Sequence, residues 1–462
     1  MTFEPTLQSV KSHQVPQWYH DAKLGIFIHW GLYSVPAWAA HGGDLGTIQE
    51  TGGWREWFKN NSYAEWYLNT LKFEDGPTRE YHNQTYGADF DYDQFAPMFN
   101  EAVANWNPND MARLFEKVGA RYVVLTTKHH DGFTLWPTKY PCPRKDNYFT
   151  QRDLVGELTD AVRQHNMKMG LYYSGGLDWA FNETRIEDME DVRGTIVEEP
   201  EFVDYSLAHW RELIDVYQPA ILWNDIGYPS DADLPELFAY YYNNVTDGVI
   251  NDRFTQVRDL PPGQRGPSFT LPKKQHYDFV TPEYRTFSEI QEKKWETCRG
   301  IGHSFGYNRN EGDEQLIAPD ALVHMFVDVV SKNGNLLLNV GPMADGTIPQ
   351  NQQQRLETLG DWLAINGEAI FSTRPWSRAE GKTSQGVGVR FTKTDNNLYA
   401  TLMGTPAESQ ITIEGLDVPA DSTIHLLGQS DPLTWQRVGS DVRIDLTNLP
   451  DMPAHSLKIS GI

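Results

Sequence analysis

Six polar strings hold the side chains that could move protons, hold charge or bind hydroxyl groups. Ile221-Leu222-Trp223-Asn224-Asp225 ends an apolar run in an amide and a carboxylate, although an ordinary Asn-Asp turn reads the same way. Asn251-Asp252-Arg253 ends a second apolar run, and a guanidinium near a carboxylate holds it ionised. Glu283 lies in Thr281-Pro282-Glu283-Tyr284-Arg285, a loop-like stretch where composition alone favours a surface glutamate. His29 follows Ile26-Phe27-Ile28 and reads equally as a satisfied core residue or as a ligand group. His129 and His130 follow Val123 to Thr127 directly. Adjacent histidines invite a metal reading, yet successive strand residues face opposite sides. Two such rings chelate one ion poorly, while each can hydrogen-bond a separate hydroxyl, and hydroxyl recognition is the favoured reading. In Leu171-Tyr172-Tyr173-Ser174 one tyrosine must face the rim and its neighbour the helices; Tyr172 is expected at the rim.

These strings need strands to position them, and the chain supplies a repeated helix-then-strand unit. Asn107 and Pro108 read as cap and first helical residue, Met111 to Lys117 has helical spacing, and Gly119 stops it before Tyr122 to Thr127. The unit recurs from Asp153 through Val162 to Met169–Ser174, and from Phe202 through Tyr217 to Ile221–Asp225. Leu234 to Asn244 leads into Val249 to Arg253, Tyr277 to Tyr284 reads as strand and loop, and Ala321 to Ser331 precedes Asn335 to Val340. With Leu24 to His29, and setting aside the mixed stretch Tyr277 to Tyr284, this makes about six strand candidates, and a (β/α)8-like barrel is preferred to a dinucleotide-binding sheet because no Gly-x-Gly-x-x-Gly turn follows the first strand. In such a barrel the C-terminal strand ends form the catalytic rim. Beyond Asn366 short alternating segments take over: Val387 to Thr392, Leu398 to Met403, Gln410 to Ile413, Thr423 to Leu427, Val442 to Leu446 and Leu457 to Ile459. Their period of two predicts a C-terminal antiparallel β-sandwich. The expected division is residues 1–368 for the barrel and 369–462 for the sandwich, which is expected to pack against the barrel rather than act as a lectin.

Bulk properties narrow the ligand. The chain has 462 residues with 39 basic and 63 acidic side chains, a formal charge of −24 that works against nucleic acid and anionic membrane surfaces. A neutral ligand fits better, and 13% aromatic content with 15 Trp offers flat apolar faces to sugar C–H surfaces, although core packing accounts for most of these rings. Two cysteines, Cys142 and Cys298, are too few for a disulfide scaffold or thiolate metal site, and leave room for one bridge. The stretch Met1 to Gln14 is polar and contains Pro5, and no run of 18 apolar residues occurs, so a cytoplasmic protein without a membrane segment is expected.

Read in order, the strings resemble those of the α-L-fucosidases of glycoside hydrolase family 29. The resemblance runs from about Trp18 to Trp376 through Phe27-Ile28-His29-Trp30-Gly31, Glu65-Trp66-Tyr67, His129-His130-Asp131-Gly132-Phe133, Leu222-Trp223-Asn224-Asp225, Ser304-Phe305-Gly306-Tyr307-Asn308 and Asn335-Leu336-Leu337-Leu338-Asn339-Val340-Gly341-Pro342. It implies a somewhat irregular (β/α)8 catalytic barrel, a C-terminal β-sandwich, no metal or organic cofactor, and exo-acting release of terminal L-fucose with retention from a fucosylated oligosaccharide or glycoconjugate. It makes Asp225 the nucleophile and Glu283 the acid/base, the latter in the segment where the family varies most. By the same resemblance His29, Glu65, Trp66, His129, His130 and Tyr172 line the fucose pocket, Arg253 sits beside the nucleophile, and Phe305 and Trp295 are candidate walls for the sugar methyl group.

The residue types agree with that chemistry. Glycoside cleavage needs one carboxyl protonated near neutral pH and another charged. Arg253 is expected to lower the pKa of Asp225, and desolvation among aromatic residues to raise that of Glu283. A metal-dependent hydrolase using His129, His130 and Asp225 is disfavoured because a His-x-His pair is missing after the first strand. A non-catalytic sugar-binding protein would have no use for two carboxyls, and an enzyme of the same fold acting on a related sugar such as α-L-galactose is the nearer rival. The Gly-rich insertion Ala40 to Trp57 is expected to cover the pocket mouth and shape linkage preference. Linkage and oligomeric state stay open, a homo-oligomer included.

Overall fold

The computed structural model describes residues 2–256, 276–446 and 449–461. Seven parallel strands form its central sheet: β1 (Leu24–Ile28), β2 (Tyr122–Lys128), β3 (Lys168–Ser174), β4 (Ile221–Asp225), β5 (Val249–Ile250), β6 (Trp295–Gly300) and β7 (Gly334–Val340). Their order is β5-β4-β3-β2-β1-β7-β6, so the sheet curls with β5 and β6 at its two margins. Between those margins runs 279–283, joined on one side by a parallel bridge from Asn251 to Phe279 and on the other by parallel bridges from Val280 to Trp295 and Glu283 to Cys298. This stretch takes the place of an eighth strand and closes the ring. It forms no continuous ladder; Pro282 has no N–H to donate to one.

Each strand buries both faces, so its side chains divide between an inner and an outer core. Phe27, Tyr122, Val124, Tyr172, Trp223 and Leu337 fill the barrel interior, while Ile26, Val123, Leu125, Tyr173, Leu222 and Leu338 pack under the helices. The helix Pro108–Val118 shows how the outer layer is built. Asn107 caps its first turn through the Asn109 N–H at 3.2 Å, and Met111, Ala112, Phe115 and Val118 form the buried stripe. Gly119 ends it at φ 88°, a left-handed conformation that costs glycine little. Cutting Phe115 back to alanine should cost about 3–5 kcal/mol.

Strand β6 escapes a sequence reading because Trp-Glu-Thr-Cys-Arg-Gly lacks an apolar run. Its Glu296 points into the barrel, fully buried, and accepts from Tyr19 Oη at 2.9 Å, Tyr122 Oη at 2.6 Å and Trp223 Nε1 at 3.0 Å. Three donors are what allow a carboxyl there, since an unpaired one would be prohibitive. Burial pushes its pKa up.

After the helix Gln350–Asn366 the chain turns to β8 (Arg374–Lys382), β9 (Gly388–Lys393), β10 (Asn397–Leu402), β11 (Gln410–Ile413), β12 (Thr423–Leu426), β13 (Trp435–Val438), β14 (Asp441–Asp445) and β15 (His455–Ser460). A five-stranded sheet ordered β12-β15-β10-β9-β8 faces a three-stranded one ordered β11-β14-β13, all antiparallel. Val389, Phe391, Leu398 and Leu457 meet Ile411, Ile413, Val442 and Ile444 between them. The sandwich docks on the barrel helices: Arg390 reaches Asp328 at 2.5 Å and Trp362 Nε1 donates to the Ala454 carbonyl at 2.9 Å. Cys142 and Cys298 are both buried free thiols, so no bridge joins them. Among the described residues no helix is long and apolar enough to cross a membrane.

Candidate active site

At the C-terminal rim of the barrel lies a cavity of about 770 Å³. His29, Glu65, Trp66, His129, His130, Tyr172, Asp225, Arg253, Glu283 and Phe305 all line it. Asp225 ends β4. Its Oδ1 accepts from Arg253 Nη1 at 2.8 Å and from the Ile226 N–H at 3.0 Å, and its Oδ2 from Tyr172 Oη at 2.9 Å. Burial alone would raise the Asp225 pKa; the charge of Arg253, followed by His130 and the two side-chain hydrogen bonds, outweighs it and holds the group below its ordinary value.

Glu283 is not a surface glutamate. The bridge to Cys298 turns it inward, where it accepts from Tyr63 Oη at 3.0 Å and Arg253 Nη2 at 3.1 Å. Burial raises its pKa, and the charge of Asp225 adds to this against the opposing pull of Arg253 and Tyr63. Arg253 therefore touches both carboxyls, where the sequence reading placed it beside Asp225 alone. It is held in turn by Thr281, whose Oγ1 accepts from Nε at 2.9 Å, and by the face of Trp223, 4.6 Å from its guanidinium carbon. The residues following the two carboxyls, Ile226 at φ 50° and Tyr284 at φ 53°, are both left-handed. Such strain on non-glycine residues, one of them β-branched, is sustained only where surrounding structure over-determines it.

The opposite wall is imidazole-rich. His29 Nδ1 pairs with Asn339 Oδ1 at 2.7 Å, and His130 Nδ1 with Ser174 Oγ at 2.6 Å. Burial lowers their pKa values to about 4 and about 3, so both are neutral near pH 7. His129 lies nearly parallel to Tyr172, 5.7 Å between centroids, and its buried Nδ1 has no protein partner. The expectation that His129 and His130 face opposite sides needs correction. Strand β2 ends at Lys128, so alternation no longer applies, and the two rings sit 4.0 Å apart on the same cavity. Glu65 accepts from the Gly306 N–H at 2.7 Å, and burial raises its pKa to about 8.

Phe305 lies in the wall with its ring 4.9 Å from that of His29. Trp295 does not: it begins β6, opposite Gly334, at the end of the strand remote from the rim, and its indole donates to the Lys332 carbonyl. The insertion forms helices Leu45–Thr51 and Trp54–Lys59 and contributes Leu45, Trp54 and Trp57 to the cavity. Tyr63, Thr281, Asn339 and Ser174 were missed as functional side chains. Asn339, Ser174 and Thr281 stand inside strings already singled out, and Tyr63 only two residues before Glu65, so all four were within reach of the sequence.

A parallel barrel whose rim cavity pairs an ionised carboxylate with a second carboxyl of raised pKa, walled by neutral imidazoles and aromatic rings, has the make-up of a glycoside hydrolase. Comparison with known proteins makes the class specific. Residues 1–368 match the alpha-L-fucosidase family. An alpha-L-fucosidase of Branchiostoma floridae is 33% identical over 476 residues, covering 100% of this chain and 96% of that protein. The tissue alpha-L-fucosidase of Rattus norvegicus is 32% identical, covering 99% and 91%. The crystal structure of Thermotoga maritima alpha-fucosidase in complex with fucose is 42% identical with a TM-score of 0.85, covering 99% of this chain and 100% of that one. The chain belongs to the α-L-fucosidase family, glycoside hydrolase family 29, and its barrel and C-terminal β domain are those of its structural relatives.

Proposed function

We propose that this α-L-fucosidase works by double displacement, with Asp225 as nucleophile and Glu283 as acid/base. The observation that carries this reading is the single Arg253 guanidinium touching both carboxyls. It supports the close spacing, about 5–5.5 Å, of a retaining pair. In the first step Asp225 attacks the anomeric carbon while Glu283 gives its proton to the departing glycosidic oxygen. The fucosyl ester that forms removes the negative charge of Asp225. That charge is one cause of the raised Glu283 pKa. Glu283, now facing Arg253 without a competing anion, ionises more readily and takes a proton from the water that attacks the ester. Asp225 leaves as the carboxylate, and fucose keeps its configuration.

His29, His129 and His130 meet the sugar hydroxyls as neutral rings offering both donors and acceptors. Glu65, protonated below about pH 8, adds a donor. Tyr172 and Trp66 line the remaining wall, and Phe305 offers an apolar face to the methyl group. Reduced to Asp225→Gly, the protein should be nearly inactive on an aryl α-L-fucoside, and added azide should restore turnover with fucosyl azide of inverted configuration, assigned by NMR. Wild-type rates, or an azide product of retained configuration, would refute the assignment of Asp225.

A further inference from the structure

Away from the catalytic cavity, three buried side chains converge on one point. His276 and Asp278 lie two apart and approach each other at 3.9 Å, while Tyr277 between them lines the cavity. His13, from the segment after the helix Leu7–Val10, comes in against them. His13 Nδ1 is 2.8 Å and His276 Nε2 3.9 Å from the same Asp278 oxygen, Oδ1, and one ligand atom from each of the three side chains lies within 4.8 Å of the other two. The side chains are 6%, 5% and 2% exposed. Among the described residues no other His, Cys, Asp or Glu set converges in this way.

The surroundings fix the carboxylate so that Oδ1 is the atom presented. Asp278 Oδ2 accepts from the Ile250 N–H at 2.8 Å and from Tyr242 Oη at 2.7 Å. Tyr242, on the helix Leu234–Asn244, also stacks on the His13 ring at 3.9 Å and 10°, which sets that ring's plane. At 3.9 Å, His276 Nε2 is beyond hydrogen-bond reach of Oδ1; it pairs instead with Tyr242 Oη at 2.5 Å, so the tyrosine hydroxyl links this imidazole to the carboxylate. Zinc bonds of about 2.0–2.2 Å to nitrogen and oxygen place tetrahedral ligand atoms roughly 3.3–3.5 Å apart. The observed 2.8 and 3.9 Å bracket that spacing, while the 2.5 Å contact between His276 Nε2 and Tyr242 Oη must open for an ion to enter. Two imidazoles and one carboxylate are a donor set suited to zinc, and a hydrogen bond to the far oxygen of the ligating carboxylate is its usual support.

We propose that His13, His276 and Asp278 form a structural site for one zinc ion, with Tyr242 Oη or a water at the fourth corner. The ion ties the N-terminal segment to β5 and to the root of 279–283, the stretch bearing Thr281 and Glu283. Full-length protein incubated with zinc and desalted should retain about one zinc per chain by plasma mass spectrometry, and its unfolding midpoint should rise by several degrees. Cobalt in place of zinc should give the intense visible bands of tetrahedral coordination. His13→Ala and His276→Ala should lose both retention and shift. If His276→Ala does not fold, His13→Ala and the wild-type cobalt spectrum still decide. Wild-type protein that retains no zinc and shows no shift would overturn the proposal, as would zinc retained equally by His13→Ala.

Discussion

Cutting Glu283 back to alanine should separate the two halves of the reaction. The change removes one acceptor from Tyr63 and one from Arg253, yet leaves Arg253 Nη1 on Asp225 and Nε on Thr281. Asp225 therefore stays positioned and ionised, and under the proposed mechanism the loss is confined to proton transfer. General acid catalysis contributes about 10²–10⁴ in rate, or roughly 2.7–5.5 kcal/mol. A fucosylated oligosaccharide, whose alkoxide must be protonated as it leaves, should lose that full factor. An aryl fucoside with an acidic phenol should keep a rapid first turnover, visible as a burst of phenol, followed by slow hydrolysis of the ester for want of a base. Azide needs no base, so it should restore steady turnover and give fucosyl azide of retained configuration. Stopped-flow absorbance for the burst, chromatography for the oligosaccharide and NMR for the azide together test the assignment. Equal losses on both substrates would show that Glu283 supports the site rather than donating the proton.

Three further outcomes follow from neighbouring contacts. Tyr63→Phe removes a hydrogen bond that lowers the Glu283 pKa; the protonated form then persists to higher pH, and the alkaline limb of kcat/KM should move upward, a limb unmoved or moved down counting against the pairing. His129→Ala and His130→Ala should each lower kcat/KM by about 1–3 kcal/mol, roughly 5- to 150-fold, through lost hydrogen bonds to substrate hydroxyls, and steady-state kinetics showing no change would contradict hydroxyl recognition. Glu296→Ala strands three buried donors and should destabilise the fold by on the order of 3 kcal/mol or more, whereas Glu296→Gln, beside tyrosine hydroxyls that can turn to accept, should recover much of this in denaturant melts.

Where physical signals were local, the sequence disclosed them. The apolar runs of β1 to β4 and β7 announce themselves because both faces of a parallel strand are buried, and the Asn107 cap and Gly119 stop bound their helix within the chain's own grammar. That Tyr172 and Tyr173 face opposite sides follows from alternation alone, whereas which of them faces inward does not. Strand β6 was illegible because its inner residue is a glutamate satisfied by partners 277, 174 and 73 positions away. The inward turn of Glu283 depends on a bridge to Cys298, and the shared cavity of His129 and His130 on where β2 stops pairing; neither leaves a trace in local periodicity. Trp295 was misplaced for the same reason, since without β6 its position at the strand's start could not be known.

The two carboxyls rest on unequal foundations. Asp225 ends a strand flanked on both sides by ladders, where a slip of one residue would turn every side chain to the opposite face. Glu283 hangs from 279–283, fastened by three separate bridges. Insertions and deletions should accordingly be lethal around Asp225 and survivable beside Glu283, because the latter stretch can be rebuilt without shifting the register of any neighbouring strand. Over long times the position of Asp225 in the chain should be frozen by the barrel, while a carboxyl carried as Glu283 is can be resupplied from a rebuilt stretch, and with it the shape of that wall of the cavity.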